Sequence, residues 1–258
     1  MFNITSKKTV GDFVYTEVYA PECVQSVKSG QYVVIRTEEN PVGLPICIAT
    51  ANKELGTIGF YVYKEAQDGG ISKYDVGQSY KGITGALGKP FSDFDGNSII
   101  VFDEAGLNTA ISLAVGFKNS GKKTAGYYVG KAFIEENVFN NFDYFAKVES
   151  ASDINLEFSF DVGIGVVATD VNTMEAVSGV LLNKNIKTYA CFNSVILDGI
   201  GVCGGCRLKV DGKTVFACLS GPFFLADKVD FKYAQKRSTL KNRNDECNLL
   251  VKVKYEGQ

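Results

Sequence analysis

With 258 residues, the chain is long enough to bury a large core and to divide into two or three domains. Its formal net charge of −2 gives no general attraction for nucleic acid or an anionic membrane surface, and no apolar run reaches the ~20 residues that a transmembrane helix needs. Histidine is absent, which removes the usual general base and the commonest zinc ligand, so any catalysis is expected to depend on a cofactor.

The first part of the chain has the composition of short β-strands. The N-terminal sequence MFNITSKK lacks the apolar stretch of a secretory signal, which predicts a cytoplasmic protein. Residues 13–19, 31–37 and 58–63 are rich in Val, Ile, Tyr and Phe, and turn residues such as Ser29-Gly30 separate them. Short strands with frequent turns predict a small antiparallel barrel over residues 1–94.

An alternation of strands and helices is predicted for residues 95–192. The apolar strand 98–103 precedes Gly106, a helix over residues 108–119 and another strand at 123–129. A second helix is predicted to begin after Thr169 or Asp170 as its N-cap and to lead to a strand at 186–191. Because strand–helix–strand units imply parallel pairing, this part is predicted to be a Rossmann-like α/β domain.

From residue 193 to residue 258 the composition shifts to glycine and cysteine. Strands at 207–210 and 213–218 flank Asp211-Gly212, a dipeptide that predicts a tight two-residue hairpin turn. Residues 232–243 are basic and polar, and we interpret them as a peripheral helix or tail with a solvated charged face rather than a docking site.

Three of the seven cysteines crowd together in this last segment. Cys203 and Cys206 form C-x₂-C, Asp198 lies five residues before them, and Cys218 follows, so the pattern is D-x₄-C-x₂-C-x₁₁-C. A plant-type 2Fe–2S site uses C-x₄-C-x₂-C with a distant fourth cysteine, and here a carboxylate occupies the first position. The sequence therefore predicts a 2Fe–2S cluster held by Asp198, Cys203, Cys206 and Cys218.

Glycine supports the cluster interpretation over its alternatives. Residues without a Cβ let backbone amides approach the cluster sulfurs, and four of them lie in the loop: Gly199, Gly201, Gly204 and Gly205. A structural zinc site with Cys₃Asp ligation is chemically possible, although zinc knuckles rarely carry so much glycine between ligands. Three buried, inert thiols are the third alternative.

The residues from 196 to 231, ILDGIGVCGGCRLKVDGKTVFACLSGPFFLADKVDF, resemble a known family. They are similar to the C-terminal segment of the small subunit of NADH-dependent reduced ferredoxin:NADP⁺ oxidoreductase, also known as sulfide dehydrogenase. The electron-transfer subunit of bacterial dihydroorotate dehydrogenase is similar at one further remove. That group uses four cysteines, whereas the first group has an aspartate in the first position, so Asp198 favours the first group. Matching stretches elsewhere are VYAP at 18–21, GQYV at 30–33, GALGKP at 85–90 and VVATD at 166–170.

The resemblance implies a fold, a set of cofactors and a partner. It implies a ferredoxin-reductase-like fold in which a flavin barrel binds FAD, a Rossmann-like domain binds NAD(P)H and the C-terminal segment holds the 2Fe–2S cluster. In the family this small subunit works with a larger flavin and iron–sulfur oxidoreductase subunit, reaches ferredoxin indirectly, and takes part in flavin-based electron bifurcation.

The same resemblance assigns residues to the flavin. It places the FAD site around Pro45, Ile46, Cys47 and Ile48, and a phosphate-contacting loop near Gly69, Gly70, Ile71 and Ser72. The family usually has an arginine shortly before the proline and Ser or Thr at position 47, but the preceding residues here are Val-Gly-Leu. FMN in place of FAD and a barrel without flavin are therefore alternatives.

The nicotinamide site departs further from the family pattern. A glycine-rich turn is expected after the strand at 98–103, but Asp103-Glu104-Ala105-Gly106 retains only Gly106, and two carboxylates near a diphosphate disfavour its binding. Cys191 either borders the nicotinamide or is a buried thiol at a strand end. Two functions follow: an enzyme subunit in which NAD(P)H reduces FAD and electrons then pass to the cluster and partner, or a relay or assembly subunit that has lost NAD(P)H reactivity.

Overall fold

A computed structural model describes residues 2–66, 68–154 and 156–238 of the chain. Two antiparallel sheets come first, then a parallel sheet with helices, and then a short hairpin and its supporting elements. Among these residues, no helix combines the length and apolar character that crossing a membrane requires.

The first region is the predicted antiparallel barrel. Its elements are β1 (Phe2–Val10), β2 (Phe13–Tyr19), α1 (Pro21–Ser26), β3 (Tyr32–Arg36), β4 (Leu44–Cys47), β5 (Thr50–Asn52), β6 (Thr57–Tyr63), β7 (Ser79–Tyr80) and β8 (Gly82–Leu87). One sheet has the order β5-β6-β2-β1-β7 and the other β4-β3-β8. Alternating residues such as Val18, Ile35 and Phe60 are fully buried between the sheets, which is the burial expected of a small barrel.

The second region is the predicted α/β domain. Its elements are β9 (Ser98–Phe102), α2 (Leu107–Asn119), β10 (Thr124–Val129), β11 (Tyr144–Val148), β12 (Ile164–Ala168), α3 (Val171–Asn183) and β13 (Lys187–Cys191). These strands pair in parallel in the order β11-β10-β9-β12-β13. Every residue of β9 and β12 is buried because helices cover both faces of such a sheet.

Strand order reverses between β9 and β12, and this position is where doubly wound folds bind ligands. Asp170 is the N-cap of α3, and its carboxylate accepts hydrogen bonds from the amides of Asn172 at 2.9 Å and Thr173 at 3.2 Å. The predicted N-cap and the predicted Rossmann-like character are both confirmed.

The third region contains β14 (Arg207–Val210), β15 (Lys213–Phe216), α4 (Ala217–Ser220), β16 (Phe223–Leu225) and a helix, α5, whose described part is 231–238. Asp211 and Gly212 have φ of 51° and 72°, which is the conformation that the predicted β14–β15 turn requires. β15 ends earlier than predicted because α4 begins at Ala217. β16 pairs antiparallel with β13 and completes the α/β sheet, although it follows the predicted boundary at residue 193. Residues 239–258, which include Cys247 and the end of the basic segment, lie outside the described residues.

Candidate functional site

The four predicted ligands form two pairs at one end of the β14–β15 hairpin. The sulfur atoms of Cys206 and Cys218 are 3.3 Å apart, and both residues are buried. Cys203 is exposed; its amide donates to Oδ2 of Asp198 at 2.7 Å, and its thiol also hydrogen-bonds that carboxylate. The structure therefore brings Asp198 to Cys203 and Cys206 to Cys218.

Asp198 organises the loop that follows it. Its carboxylate accepts hydrogen bonds from the backbone amides of Ile200, Gly201, Val202 and Cys203 at 3.2, 3.3, 2.8 and 2.7 Å. Burial by itself would raise the pKa of Asp198, but the backbone hydrogen bonds outweigh burial and lower that pKa. The group is therefore an anion, and its four amide hydrogen bonds already use the roughly four lone-pair positions of a carboxylate, so a bond to a metal would have to replace at least one of them.

The loop needs glycine to turn tightly and to approach the barrel. Gly199, Gly201 and Gly204 have φ of 70°, 83° and 65°, a region that other residues rarely adopt. A Cβ on Gly199 would lie 2.7 Å from Cγ2 of Val34 on β3, so this loop lies directly against the barrel.

Tyr32 joins the barrel to both parts of the site. Its hydroxyl donates to the carbonyl oxygens of Gly199 at 2.8 Å and Cys218 at 3.2 Å. Tyr32 is 1% exposed, so β3 fixes the relative position of the loop and the last cysteine. Tyr32 belongs to the GQYV stretch that resembles the family's barrel domain, but no local sequence pattern could show that its hydroxyl supports the cysteine loop.

Two arginines donate hydrogen bonds to carbonyl oxygens of the same loop. Nη2 of Arg237 on α5 donates to the carbonyl oxygens of Gly204 and Gly205, each at 3.1 Å, and Nε of Arg207 donates to Gly204 at 3.4 Å. The sequence interpretation of a solvated basic face fits Lys232 and Lys236, which are exposed, but Arg237 is partly buried and binds the loop.

The protonation state of the Cys218 thiol bears on how it could bind a metal. Burial, followed by the hydrogen bond with Cys206, raises the pKa of Cys218 to about 12, so a bare thiol there stays protonated at neutral pH. Thiolate ligands form when a metal ion displaces the proton.

Within the described ranges, no three acidic, cysteine or histidine side chains converge on a point that could hold one metal ion. Two pairs of ligands fit a two-iron cluster better than a single zinc ion, because each iron of such a cluster takes two protein ligands.

Three exposed apolar side chains lie on the cysteine loop or beside it. Ile200, Val202 and Leu219 are 46%, 82% and 54% exposed, and a Cβ on Gly201 would lie 2.7 Å from Leu219. We name these three side chains, together with exposed Cys203, the loop rim. Clustered exposed apolar residues are typical of interaction sites.

The residues assigned to the FAD site lie on β4 of the barrel and just after it, and one of them meets the cysteine loop. Ile46, Cys47 and Ile48 are buried, and partly buried Pro45 lies beside Gly199, as the 3.6 Å separation of its Cγ from a Cβ built there indicates. Burial raises the pKa of Cys47 to about 12, and its thiol hydrogen-bonds Thr109 of α2. Pro45 thus joins this stretch to the loop that would hold the cluster.

The residues assigned to the flavin phosphates already bind an anion of the chain itself. The carboxylate of Asp68 accepts hydrogen bonds from the amides of Gly70 at 2.9 Å and Ser72 at 2.7 Å. Gly69 and Gly70 lie against the β3–β4 connection, where a Cβ on Gly69 would be 2.8 Å from Nδ2 of Asn40. This connection leads directly into β4, so the layout suits an extended nucleotide, but a phosphate at the loop would have to displace Asp68.

The predicted nicotinamide crevice lies at the carboxyl ends of β9 and β12. Asp103 accepts hydrogen bonds from the amide of Gly106 at 3.0 Å and from that of Asp170 at 2.7 Å. Glu104 points elsewhere: its Oε1 accepts from the hydroxyl of Tyr128 at 2.7 Å and from two amides at the end of β10. Burial favours the neutral form of Glu104, but the Tyr128 hydroxyl and these amides outweigh burial and lower its pKa.

Cys191 lines the remaining space at this crevice and is also buried. The cavity measures about 10 Å³, room for one water molecule, and its lining includes Gly106, Thr109, Cys191 and Asn193. Burial strongly raises the pKa of the Cys191 thiol, which accepts a hydrogen bond from Nδ2 of Asn193 at 3.3 Å. The assignment of Gly106 and Cys191 to a nucleotide remains a prediction.

Asp103 predicts a pH dependence of stability. Burial raises the pKa of Asp103 to about 6. The hydrogen bonds from the amides of Gly106 and Asp170 lower this pKa, but they offset only part of the effect of burial. A raised pKa stabilises the fold below the unfolded value of about 4, and that stability is lost as the pH rises to about 6. Relative to Asp103→Asn, the wild-type free energy of unfolding should fall by up to about 3 kcal/mol over this interval, as measured by urea unfolding. Equal pH profiles for both proteins would contradict the shifted pKa.

Comparisons with known proteins show which proteins this chain resembles and over which residues. Residues 193–230 match the family model for the iron–sulfur cluster binding domain of dihydroorotate dehydrogenase B. The dihydroorotate dehydrogenase B (NAD⁺) electron transfer subunit homologue of Thermotoga maritima is 24% identical over 248 residues, which cover 85% of this chain and 84% of that protein.

Solved structures show the same fold. A chain from the structure of NADH-dependent reduced ferredoxin-NADP oxidoreductase, a study of flavin-based electron bifurcation, superposes with a TM-score of 0.84 at 21% identity and covers 98% of both chains. The ferredoxin reductase of carbazole 1,9a-dioxygenase superposes with a TM-score of 0.55 at 15% identity, covering 71% of this chain and 64% of that one. The ferredoxin-reductase-like fold and the resemblance found in the sequence are therefore confirmed.

Proposed function

We propose that this chain is an electron-transfer subunit that holds a 2Fe–2S cluster and works in an oxidoreductase complex of the ferredoxin-NADP oxidoreductase type. The observation that carries the proposal is the arrangement of Asp198, Cys203, Cys206 and Cys218 as two ligand pairs on one loop and hairpin. The match of residues 193–230 to an iron–sulfur cluster binding domain supports it independently. We place the protein in the cytoplasm, where reducing conditions keep such thiols available.

The residues of the site fit a cluster in three respects. Cys206 and Cys218 offer two thiolates at one iron position, and Asp198 and Cys203 offer an oxygen and a sulfur at the other. Amides of the chain already point at the sulfurs, from Gly205 to Cys203 at 3.3 Å and from Cys218 to Cys206 at 3.5 Å. A bound 2Fe–2S cluster supplies one-electron transfer at this position.

FAD in the barrel is supported by the fold and by the course of β4. Pro45, the first residue of this stretch, lies beside Gly199 of the cysteine loop, so a flavin bound at Pro45 would be near the candidate cluster ligands. Bound FAD accepts two electrons together and releases them singly. For a flavin phosphate to bind at this loop, Asp68 would have to move, because its carboxylate accepts the hydrogen bonds of the Gly70 and Ser72 amides.

The first candidate for the electron source is NAD(P)H, as in the ferredoxin-NADP oxidoreductase whose fold this chain shares. The second is a relay or assembly role without NAD(P)H reactivity, which the bonding of Asp103 to both turns of the crevice favours. Anaerobic addition of NADPH or NADH to the isolated subunit separates them: flavin bleaching supports the first candidate, and unchanged flavin absorbance supports the second.

The central experiment is an anaerobic absorption spectrum with iron, zinc and flavin assays on the same sample. We expect about two irons per chain and visible cluster absorption. Zinc in place of iron, with no colour, would make the cysteine site structural and end the proposal.

We assign the loop rim to the larger flavin and iron–sulfur subunit, because it combines three exposed apolar side chains with the exposed candidate ligand Cys203. Val202→Asp should weaken binding of that subunit at least about tenfold, since an unpaired carboxylate would be buried in an apolar contact. Leu55→Asp is the matched control, because Leu55 is 65% exposed and belongs to the barrel. Co-purification and titration of the two subunits measure the effect. Equal weakening by both variants, or by neither, would contradict this assignment.

Arg237 should determine how firmly the loop holds its cluster. Arg237→Met removes two charge-assisted hydrogen bonds to Gly204 and Gly205, each of the kind that contributes roughly 1.5–3 kcal/mol. We expect cluster loss to a chelator to become at least about tenfold faster, with partial rescue by Arg237→Lys, because a factor of ten corresponds to about 1.4 kcal/mol. Bleaching of the visible absorption gives the rate. An unchanged rate in Arg237→Met would show that α5 does not stabilise the site.

A further inference from the structure

The two turns that border the strand-order reversal are bonded to each other by one side chain. The carboxylate of Asp103 accepts the amide of Gly106 with Oδ1 at 3.0 Å and the amide of Asp170 with Oδ2 at 2.7 Å. Gly106 opens α2, and Asp170 caps α3. In dinucleotide-binding folds, amides at these helix ends point at the ligand phosphates. Here an anion of the chain occupies both donors.

Backbone contacts also join these two turns. The amide of Asp103 donates to the carbonyl oxygen of Ala168 at 3.3 Å, which ties the end of β9 to the end of β12. A Cβ built on Gly106 would overlap that same carbonyl group, so the two turns are in direct contact. Gly106, the one glycine that remains from the expected phosphate turn, therefore allows the turns to meet rather than a ligand to approach.

The space that remains between the turns is too small for a ligand. The cavity is about 10 Å³ and admits one water molecule. A nicotinamide or a ribose is many times larger, and drug-sized ligands generally occupy clefts of roughly 300–1,000 Å³.

From these contacts we infer that Asp103 takes the place of a nucleotide phosphate and holds the crevice of the α/β domain closed, so that this chain does not take up NADH or NADPH there. The inference rests on the proposed electron-transfer function and makes it more specific. The electrons would then come from the larger subunit, one at a time: for each electron that the cluster of this chain gains, the donor in the larger subunit is oxidised by one electron.

Glu104 provides the matched control for charge. It carries the same charge as Asp103 and is the next residue, but it bonds Tyr128 and the end of β10 and contacts neither Gly106 nor Asp170. Glu104→Gln retains an acceptor for those donors and removes one negative charge from the crevice. Asp103→Ser removes the same charge and also frees both amides.

The test is calorimetric titration of the full-length, cluster-loaded chain and of both variants with NADH and with NADPH. We expect no saturation up to about 1 mM for the wild type and Glu104→Gln, a limit that corresponds to a dissociation constant weaker than about 1 mM. For Asp103→Ser we expect saturable binding at least about tenfold tighter than this limit. Amide exchange at Gly106 and Asp170 should be faster only in Asp103→Ser.

Saturable binding of either nucleotide to the wild type at micromolar concentrations would overturn the inference, whatever the variants do. It would also be overturned if Asp103→Ser exposed the two amides to exchange and still bound no better than Glu104→Gln. Iron content and visible absorption of the same samples keep this test separate from the proposed function. A missing cluster defeats the proposed function, whereas an intact cluster with nucleotide bound to the wild type defeats only the closure.

Discussion

Cys218→Ala is expected to abolish the visible absorption of the purified chain and to reduce its iron from about two atoms per chain to nearly none. Cys218 and Cys206 lie 3.3 Å apart and would share one iron, so removal of one leaves that iron with a single protein ligand. Anaerobic absorption spectroscopy and an iron assay measure the effect, and circular dichroism shows whether the fold is retained.

Cys23→Ala is the matched control for the loss of a buried thiol. Cys23 is 7% exposed and packs in the barrel core, away from the cysteine loop, whereas Cys218 is 3% exposed. We expect this variant to keep the wild-type iron content. A Cys218→Ala protein that still held two irons with an unchanged spectrum would show that Cys218 is not a ligand.

Substitution of Asp198 should change both the stability of the loop and the reduction potential of the cluster. Asp198→Ala leaves the amides of Ile200, Gly201, Val202 and Cys203 without their acceptor, and a typical hydrogen bond contributes roughly 0.5–1.5 kcal/mol. We expect this variant to lose most of its cluster on purification. Asp198→Asn retains the shape but not the charge and should lie between alanine and the wild type.

Asp198→Cys is the informative partner of the alanine variant. A thiolate is a softer ligand than a carboxylate, so the cluster should be retained while its potential shifts by an amount on the order of 100 mV. Electron paramagnetic resonance during a redox titration measures this potential. If the cysteine and alanine variants both matched the parent in spectrum and potential, Asp198 would have only the capping role that its four amide contacts show.

Local sequence patterns were enough to predict the regions whose geometry depends on near neighbours. The Asp211-Gly212 hairpin follows from two residues that tolerate positive φ, and both adopt it. The parallel strands β9 and β12 follow from uninterrupted apolar runs, because only a sheet covered on both faces can bury them. The four candidate metal ligands were predicted from their spacing, because a loop of fixed length limits which side chains can meet, and their role as ligands remains a prediction.

Contacts between distant segments were not predictable in this way. Tyr32 reaches Gly199 and Cys218 across the boundary between barrel and hairpin, and no periodicity on β3 distinguishes this hydroxyl from an ordinary buried tyrosine. Arg237 belongs to a basic stretch that, by composition, predicts a solvated face, yet it lies over the carbonyl groups of Gly204 and Gly205. The pairing of β16 with β13 likewise depends on a return of the chain that neither strand encodes alone.

The crevice between β9 and β12 shows most clearly which features local sequence predicts and which depend on contacts between distant segments. The sequence by itself determined that a carboxylate pair, Asp103 and Glu104, follows β9 where a glycine-rich turn was expected, and hence that phosphate binding there was doubtful. Only the tertiary structure decided where each carboxylate points: Asp103 to the amides of Gly106 and Asp170, Glu104 to Tyr128. The physical reason is that a side chain's partner depends on which turns the sheet brings together, and β12 joins β9 only after more than sixty residues of intervening chain.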